Sequence, residues 1–301
     1  MIAISLWGGA DVATTAEVVE RVRAAADEGF GRIWFPQTAS LDALTALAVA
    51  GDRVPGIRLG TAVVPIQGRH PIPLAQQALT VADAAGPGRF TLGVGVTHGV
   101  VSEGWYGIPY RGIVDVCGEE LQALAALLSP ERKVDLVGGR LTARFTLGMA
   151  TPPPRLMLAA LGPRMLDLAG SLCDGTVTWM TGPVALARDI VPRIGAAAAA
   201  AGRTAPEIVV GLAVCATDDT DDARARIRPA LAGAATMPSY RRMVAAEGVA
   251  DPVDLALIGD EVTLGERLAQ LEAAGATELM ANVVGTPEER ARTRAFLASR
   301  S

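Results

Sequence analysis

Lysine is almost absent from this 301-residue chain, and Lys133 is the only one. It stands in a polar stretch outside the hydrophobic rhythm, so a Schiff-base or pyridoxal-phosphate enzyme would have to depend on that single residue. Histidine is scarce too: His70 and His98 have no clustered acidic partners, which argues against a transition-metal site. The cysteines, Cys117, Cys173 and Cys215, are odd in number and widely spaced. That pattern indicates neither a disulfide framework nor a zinc knuckle, and it places them as small residues in a packed core. Basic residues number 27 against 32 acidic ones, a net charge of −5. A surface of that sign attracts neither nucleic acid nor an anionic membrane. No apolar run has membrane-spanning length, and the segment from Met1 to Trp7 lacks a basic leader and reads as a first buried strand. A cytoplasmic protein is the expectation. There is no G-x-S-x-G elbow and no phosphate loop ending in Gly-Lys, and the run from Gly93 to Gly99 misses the dinucleotide spacing by one residue. Hydrolase and kinase chemistry therefore find no motif here.

What the chain does have is apolar residues, 50% of the total, arranged as repeated strand-then-helix units. Strands are expected at 2–7, 32–35, 57–64, 90–94, 156–159, 176–178, 207–216 and 278–284. Thr14 or Thr15 caps a first helix, Ser40 a second over 41–50, and a third runs over about 73–84. The segment 95–150 breaks the rhythm. It holds an aromatic, glycine-rich loop around Trp105, Tyr106 and Tyr110, a helix over about 114–128, and a hairpin over 134–147 turning at Gly138-Gly139. After residue 216 an acidic helix start at 218–222 is followed by helical segments through Tyr240, Met243, Val253 and Leu257. Eight such units predict one α/β domain over 1–301, a (β/α)8 TIM barrel with an insertion after strand four. A doubly wound open sheet is the alternative, but a closed barrel leaves neither terminal apolar strand at an edge.

The stretch from Arg58 to Gly99 is the centre of this reading. It is one βαβ unit whose two loops leave the same ends of their strands and hold both histidines. In parallel α/β folds ligands bind at that edge.

Five segments in order carry a likeness to a known family: Ala26-Asp27-Glu28-Gly29-Phe30 with Trp34; Leu59 to Pro65 with Arg69-His70-Pro71; Gly88 to Gly95; Ala159 to Met165; and Asp174 to Gly182. Together they resemble the luciferase-like flavin- and deazaflavin-dependent oxidoreductases, in particular the coenzyme F420-dependent branch. The resemblance implies a barrel with the cofactor across the C-terminal strand ends and a non-prolyl cis peptide joining Ala62 and Val63. It implies cofactor contacts at Gln37, Thr38, Ala62, Val63, Val64 and Pro65, at His98, Gly99 and Ser102, and at Leu161, Gly162, Pro163 and Met165. A proline at the start of a helix, as at Gly162-Pro163, leaves neighbouring N–H groups free for a phosphate. Trp7, His70, Trp105, Tyr106, Trp179 and Met180 are candidates for the substrate pocket, with His70 equally suited to orienting its loop.

Gln37 and Thr38 stand where some F420-dependent members carry an acid and a histidine, so the proton donor of those alcohol and sugar-phosphate dehydrogenases is missing. His98 is the remaining candidate for a catalytic acid–base role. The expected function is hydride transfer between coenzyme F420 and a small organic substrate. The alternatives are an FMN-dependent luciferase-like monooxygenase acting on an apolar substrate and a non-catalytic flavin- or deazaflavin-binding barrel. The resemblance also implies a homodimer.

Overall fold

Eight parallel strands close on themselves in the computed structural model, which describes residues 1–301. In chain order the barrel strands are Ala3–Trp7, Arg32–Phe35, Arg58–Thr61, Phe90–Gly95, Arg155–Ala159, Gly175–Trp179, Glu207–Ala216 and Glu278–Val283. Each pairs with the next, and the eighth returns to the first with Ala3 opposite Glu278, so the ladder has no free edge. The helices surround this barrel, as the apolar periodicity requires: Val18, Val22 and Ala25 of the first helix are all buried.

The barrel interior is filled by alternate residues of each strand. At the N-terminal ends lie Arg32, Glu207 and Glu278. Above them Trp34, Met157, Val177, Val209 and Met280 pack together, with Trp7, Ala62, Val63 and Trp179 against them. Two glycines make room for the large rings. A Cβ on Gly60 would lie 2.3 Å from the Trp34 ring, and one on Gly211 would lie 2.4 Å from that of Trp179.

The structure moves several expected boundaries. Strand three stops at Thr61, and a two-residue piece, Val64–Pro65, resumes the pairing with strand four. The second helix is Ala43–Arg53, capped by Asp42 rather than Ser40, whose hydroxyl instead donates to the Val12 carbonyl. Within 95–150 the loop after strand four contains a short helix, Gly99–Gly104, that the glycine-rich sequence concealed. The hairpin, Lys133–Val137 with Thr142–Thr146, forms as expected, and the Glu119 carboxylate accepts from the N–H groups of Gly139, Arg140 and Leu141 at its turn. The expected helix through Val253 and Leu257 is a 3-10 turn, Pro252–Leu255, followed by a short strand, Leu257–Gly259, beside strand seven. All three cysteines are buried and free. No helix is long and apolar enough to cross a membrane.

Candidate active site

A cavity of about 530 Å³ opens at the C-terminal ends of the barrel strands. Its floor is apolar: Trp7, Ala62, Val63, Val177, Trp179 and Met280. The Ala62–Val63 peptide is cis, as the resemblance implied. Trp7 and Trp179 meet on this floor with ring centroids 5.6 Å apart.

One wall is the turn after strand five. Gly162 is the N-cap of the helix Pro163–Leu172 and offers no side chain to its first N–H groups. Arg242 lies beside it, with Nη2 only 3.3 Å from where a Cβ on Gly162 would stand. The other arginine of the cavity, Arg164, is paired with Asp115. No carboxylate lines the cavity. A helix N-terminus next to a guanidinium, with no acid present, suits an anionic group.

The rest of the rim comes from the insertion and from the helix Pro238–Glu247, which carries Arg242. His98 precedes the helix Gly99–Gly104, and its imidazole makes no capping bond. Burial alone lowers its pKa from the ordinary 6.5, so at neutral pH the ring is uncharged. Tyr240 stands edge to face against it, centroids 5.6 Å apart at 67°. The hydroxyls of Tyr240 and Tyr110 are both shifted upward by burial and remain protonated. Glu247, at the far end of the Tyr240 helix, accepts from the N–H groups of Val184 and Ala185 at 3.2 and 2.6 Å. Those bonds fix the helix over the mouth.

Of the residues implied as cofactor contacts, Ala62, Val63, His98, Leu161, Gly162, Pro163 and Met165 face this cavity. The others lie elsewhere. The Gln37 amide accepts from Ala43 N at 2.8 Å and is used at the start of the second helix, while Thr38 is exposed. Val64 is buried in the core, and Pro65 pairs with Gly95. Gly99 packs under Tyr110, and Ser102 holds Ile108 through both its hydroxyl and its carbonyl.

The substrate-pocket candidates divide as well. Trp7 and Trp179 line the floor. Met180 is buried in the core, and His70 orients its loop: Nδ1 accepts from Ile72 N, and Nε2 lies 3.1 Å from the Thr142 carbonyl of the hairpin. Trp105 and Tyr106 are 65% and 48% exposed, because the bonds from Ser102 to Ile108 close a turn that leaves both outside. Sequence reasoning missed Tyr240 and Arg242, which it placed only within a helix. The available signal was a tyrosine and an arginine two residues apart, next to the inward-facing Met243.

Comparisons with known proteins give the chain a family. A family model described as luciferase-like monooxygenase matches residues 1–291. The chain belongs to that family. It is 30% identical over 95% of its length to a Mycobacterium tuberculosis protein provisionally named as a coenzyme F420-dependent oxidoreductase, of which 95% is covered. Among solved structures, an F420-dependent secondary alcohol dehydrogenase in complex with an F420-acetone adduct superposes with a TM-score of 0.83 at 18% identity, covering 100% of this chain and 99% of that one. A type II Baeyer-Villiger monooxygenase of Pseudomonas putida in complex with FMN gives 0.76 at 17% identity, covering 99% and 97%. These two likenesses concern the fold.

Proposed function

We propose that this luciferase-like protein is an oxidoreductase that transfers hydride between coenzyme F420 and a small organic substrate with an apolar body. One observation carries the reading: a single cavity joins an apolar floor with small residues at Ala62 and Val63 to the open turn at Gly162 and the guanidinium of Arg242. The residues present fit a flat cofactor with an anionic chain. Ala62 and Val63 would meet its ring system, and Gly162, Pro163 and Arg242 would hold its phosphate. When bound, the deazaflavin supplies the hydride. The protein's share is to hold the acceptor carbon close and keep water out, which the tryptophan floor and the absence of charged groups there serve. His98, uncharged at neutral pH, would stand at the substrate with its ring against Tyr240. On this reading the enzyme acts as a homodimer in the cytoplasm, and sedimentation of the purified protein reads the first of these.

The name of the matching family and the FMN-bound structural neighbour favour a second reading, an FMN-dependent monooxygenase. Equilibrium dialysis of the purified protein against F420 and, separately, FMN decides between them. Micromolar F420 binding with FMN at least tenfold weaker is the expected result. The reverse order moves the monooxygenase to first place, and binding of neither overturns both.

A further inference from the structure

The polar groups around this cavity are few, and some are already engaged. Thr178 Oγ1 is directed to the Val209 carbonyl, Arg164 is paired with Asp115, and the Gln37 amide is turned away into the second helix. Besides Ser239, and Arg242 at the Gly162 turn, three polar side chains of the lining make no hydrogen bond within the cavity: His98, Tyr110 and Tyr240. For each of them burial is the only influence on the ionising group, with no hydrogen bond or charge from the protein beside it. Tyr240 is the phenol whose ring is in contact with His98. It lines the cavity and its hydroxyl has no hydrogen-bond partner in the protein, so a ligand or water can take its hydrogen.

We propose that Tyr240, held edge-on by His98, is the hydrogen-bond donor that fixes the oxygen of a neutral carbonyl compound in this cavity. The inference rests on the cavity being the substrate site, and it supplies what the strand-two loop lacks. The chemistry of the lining selects the ligand class. No carboxylate is present to hold a cation, and the only charged groups, Arg164 and Arg242, stand at the Gly162 turn. The floor is hydrocarbon, indole and the Met280 thioether, so the body of the ligand is apolar. A protonated phenol donates and an uncharged imidazole packs against its ring without competing for its hydrogen. An aldehyde, ketone or enone carries the matching acceptor. His98 then serves as a positioning residue, its ring setting the direction of the Tyr240 hydroxyl.

The test uses the cofactor-free full-length protein and a fluorescent ketone, 6-propionyl-2-(dimethylamino)naphthalene, whose emission moves to the red when its carbonyl accepts a hydrogen bond. The hydrocarbon 2-ethylnaphthalene is the control. In Tyr240→Phe the bound ketone should emit further to the blue than in wild type, and its affinity should fall about 3- to 10-fold, the worth of one hydrogen bond. The hydrocarbon should bind both proteins within about twofold. His98→Phe, which keeps a ring against Tyr240, should retain the wild-type emission. The proposal fails if Tyr240→Phe leaves spectrum and affinity unchanged, if the hydrocarbon loses as much as the ketone, or if His98→Phe alone abolishes the red emission. It fails too if the ketone shows no saturable binding to wild type. F420 dialysis is separate: loss of F420 binding alone would remove the proposed reaction and leave the role of Tyr240 standing.

Discussion

Arg32 and Glu278 meet inside the barrel at 2.8 Å, each side chain only 3% exposed. The other Glu278 oxygen accepts from Trp34 Nε1 at 2.8 Å, and the same Arg32 nitrogen reaches Glu207 at 2.7 Å. This ionic layer lies directly beneath the Trp34–Met280 layer and ties together the starts of strands two, seven and eight. Removing Glu278 leaves Arg32 with Glu207 alone and takes an acceptor from Trp34 Nε1. Glu278→Ala should therefore lose about 1–3 kcal/mol of unfolding free energy in urea, the cost of leaving a buried donor without its acceptor. Glu278→Gln, which keeps an acceptor for Trp34, should lose less. A loss under about 1 kcal/mol for the alanine variant would mean that water reaches Arg32 from below.

Acid should weaken the C-terminal helix in a way one residue controls. Glu289 accepts both guanidinium nitrogens of Arg226 at 2.8 and 2.9 Å and closes a capping box with Thr286. The Arg226 bonds hold its pKa down, from the ordinary 4.5 to about 2. A carboxyl whose folded value is depressed adds stability that is complete above the ordinary value and is lost as pH falls toward the folded one. Urea midpoints at pH 7, 4.5 and 3 should show wild type declining between the last two, with Glu289→Gln flatter there. At pH 7 that variant should be weaker than wild type by about 1–2 kcal/mol. Parallel curves for the two proteins would remove Glu289 from the acid limb.

Much of this architecture was legible because strand and helix periods are enforced by burial on two sides of every barrel strand. The order of the eight strands, the hairpin and the Gly162 turn follow from apolar runs bounded by glycine and proline. The site was only half legible. Ala62, Val63, Gly162 and Met165 were implied by the family resemblance, and they face the cavity because they sit on or just after barrel strands. Trp105 and Tyr106 looked like pocket walls in a glycine-flanked loop, yet the Ser102–Ile108 bonds turn them out, and nothing in their spacing foretells that. Tyr240 and Arg242 reach the cavity because Glu247 anchors their helix on the loop after strand six, a contact spanning more than 60 residues.

The chain's two histidines make His98 directly observable. Burial disfavours its charged form, so its imidazole should titrate below the ordinary 6.5 in the folded protein. For a histidine lowered in this way the unfolded chain binds the proton first, so folding stability falls as pH drops through the unfolded value. Imidazole NMR between pH 4.5 and 8 should show one ring with a midpoint below 6.5, and that resonance should vanish in His98→Gln. A midpoint at or above 6.5 would mean that the ring is solvated or faces an unrecognised anion, and the uncharged role given to it would fall.

Arg242 offers the sharpest separation of binding from folding. It is exposed, its guanidinium lies beside the Gly162 turn, and Gly162 leaves the first N–H groups of its helix without a side-chain acceptor. Arg242→Ala should leave the thermal midpoint within about 2 °C of wild type, as for a surface substitution. Its F420 affinity by equilibrium dialysis should fall about 10- to 100-fold, the range for losing a charge-assisted hydrogen bond to an anion. Raising the salt concentration should weaken F420 binding to wild type more than to the variant, since screening acts on the charge that the variant no longer has. Equal affinities and equal salt slopes would place the anionic end of the cofactor away from the Gly162 turn, toward another side of the mouth.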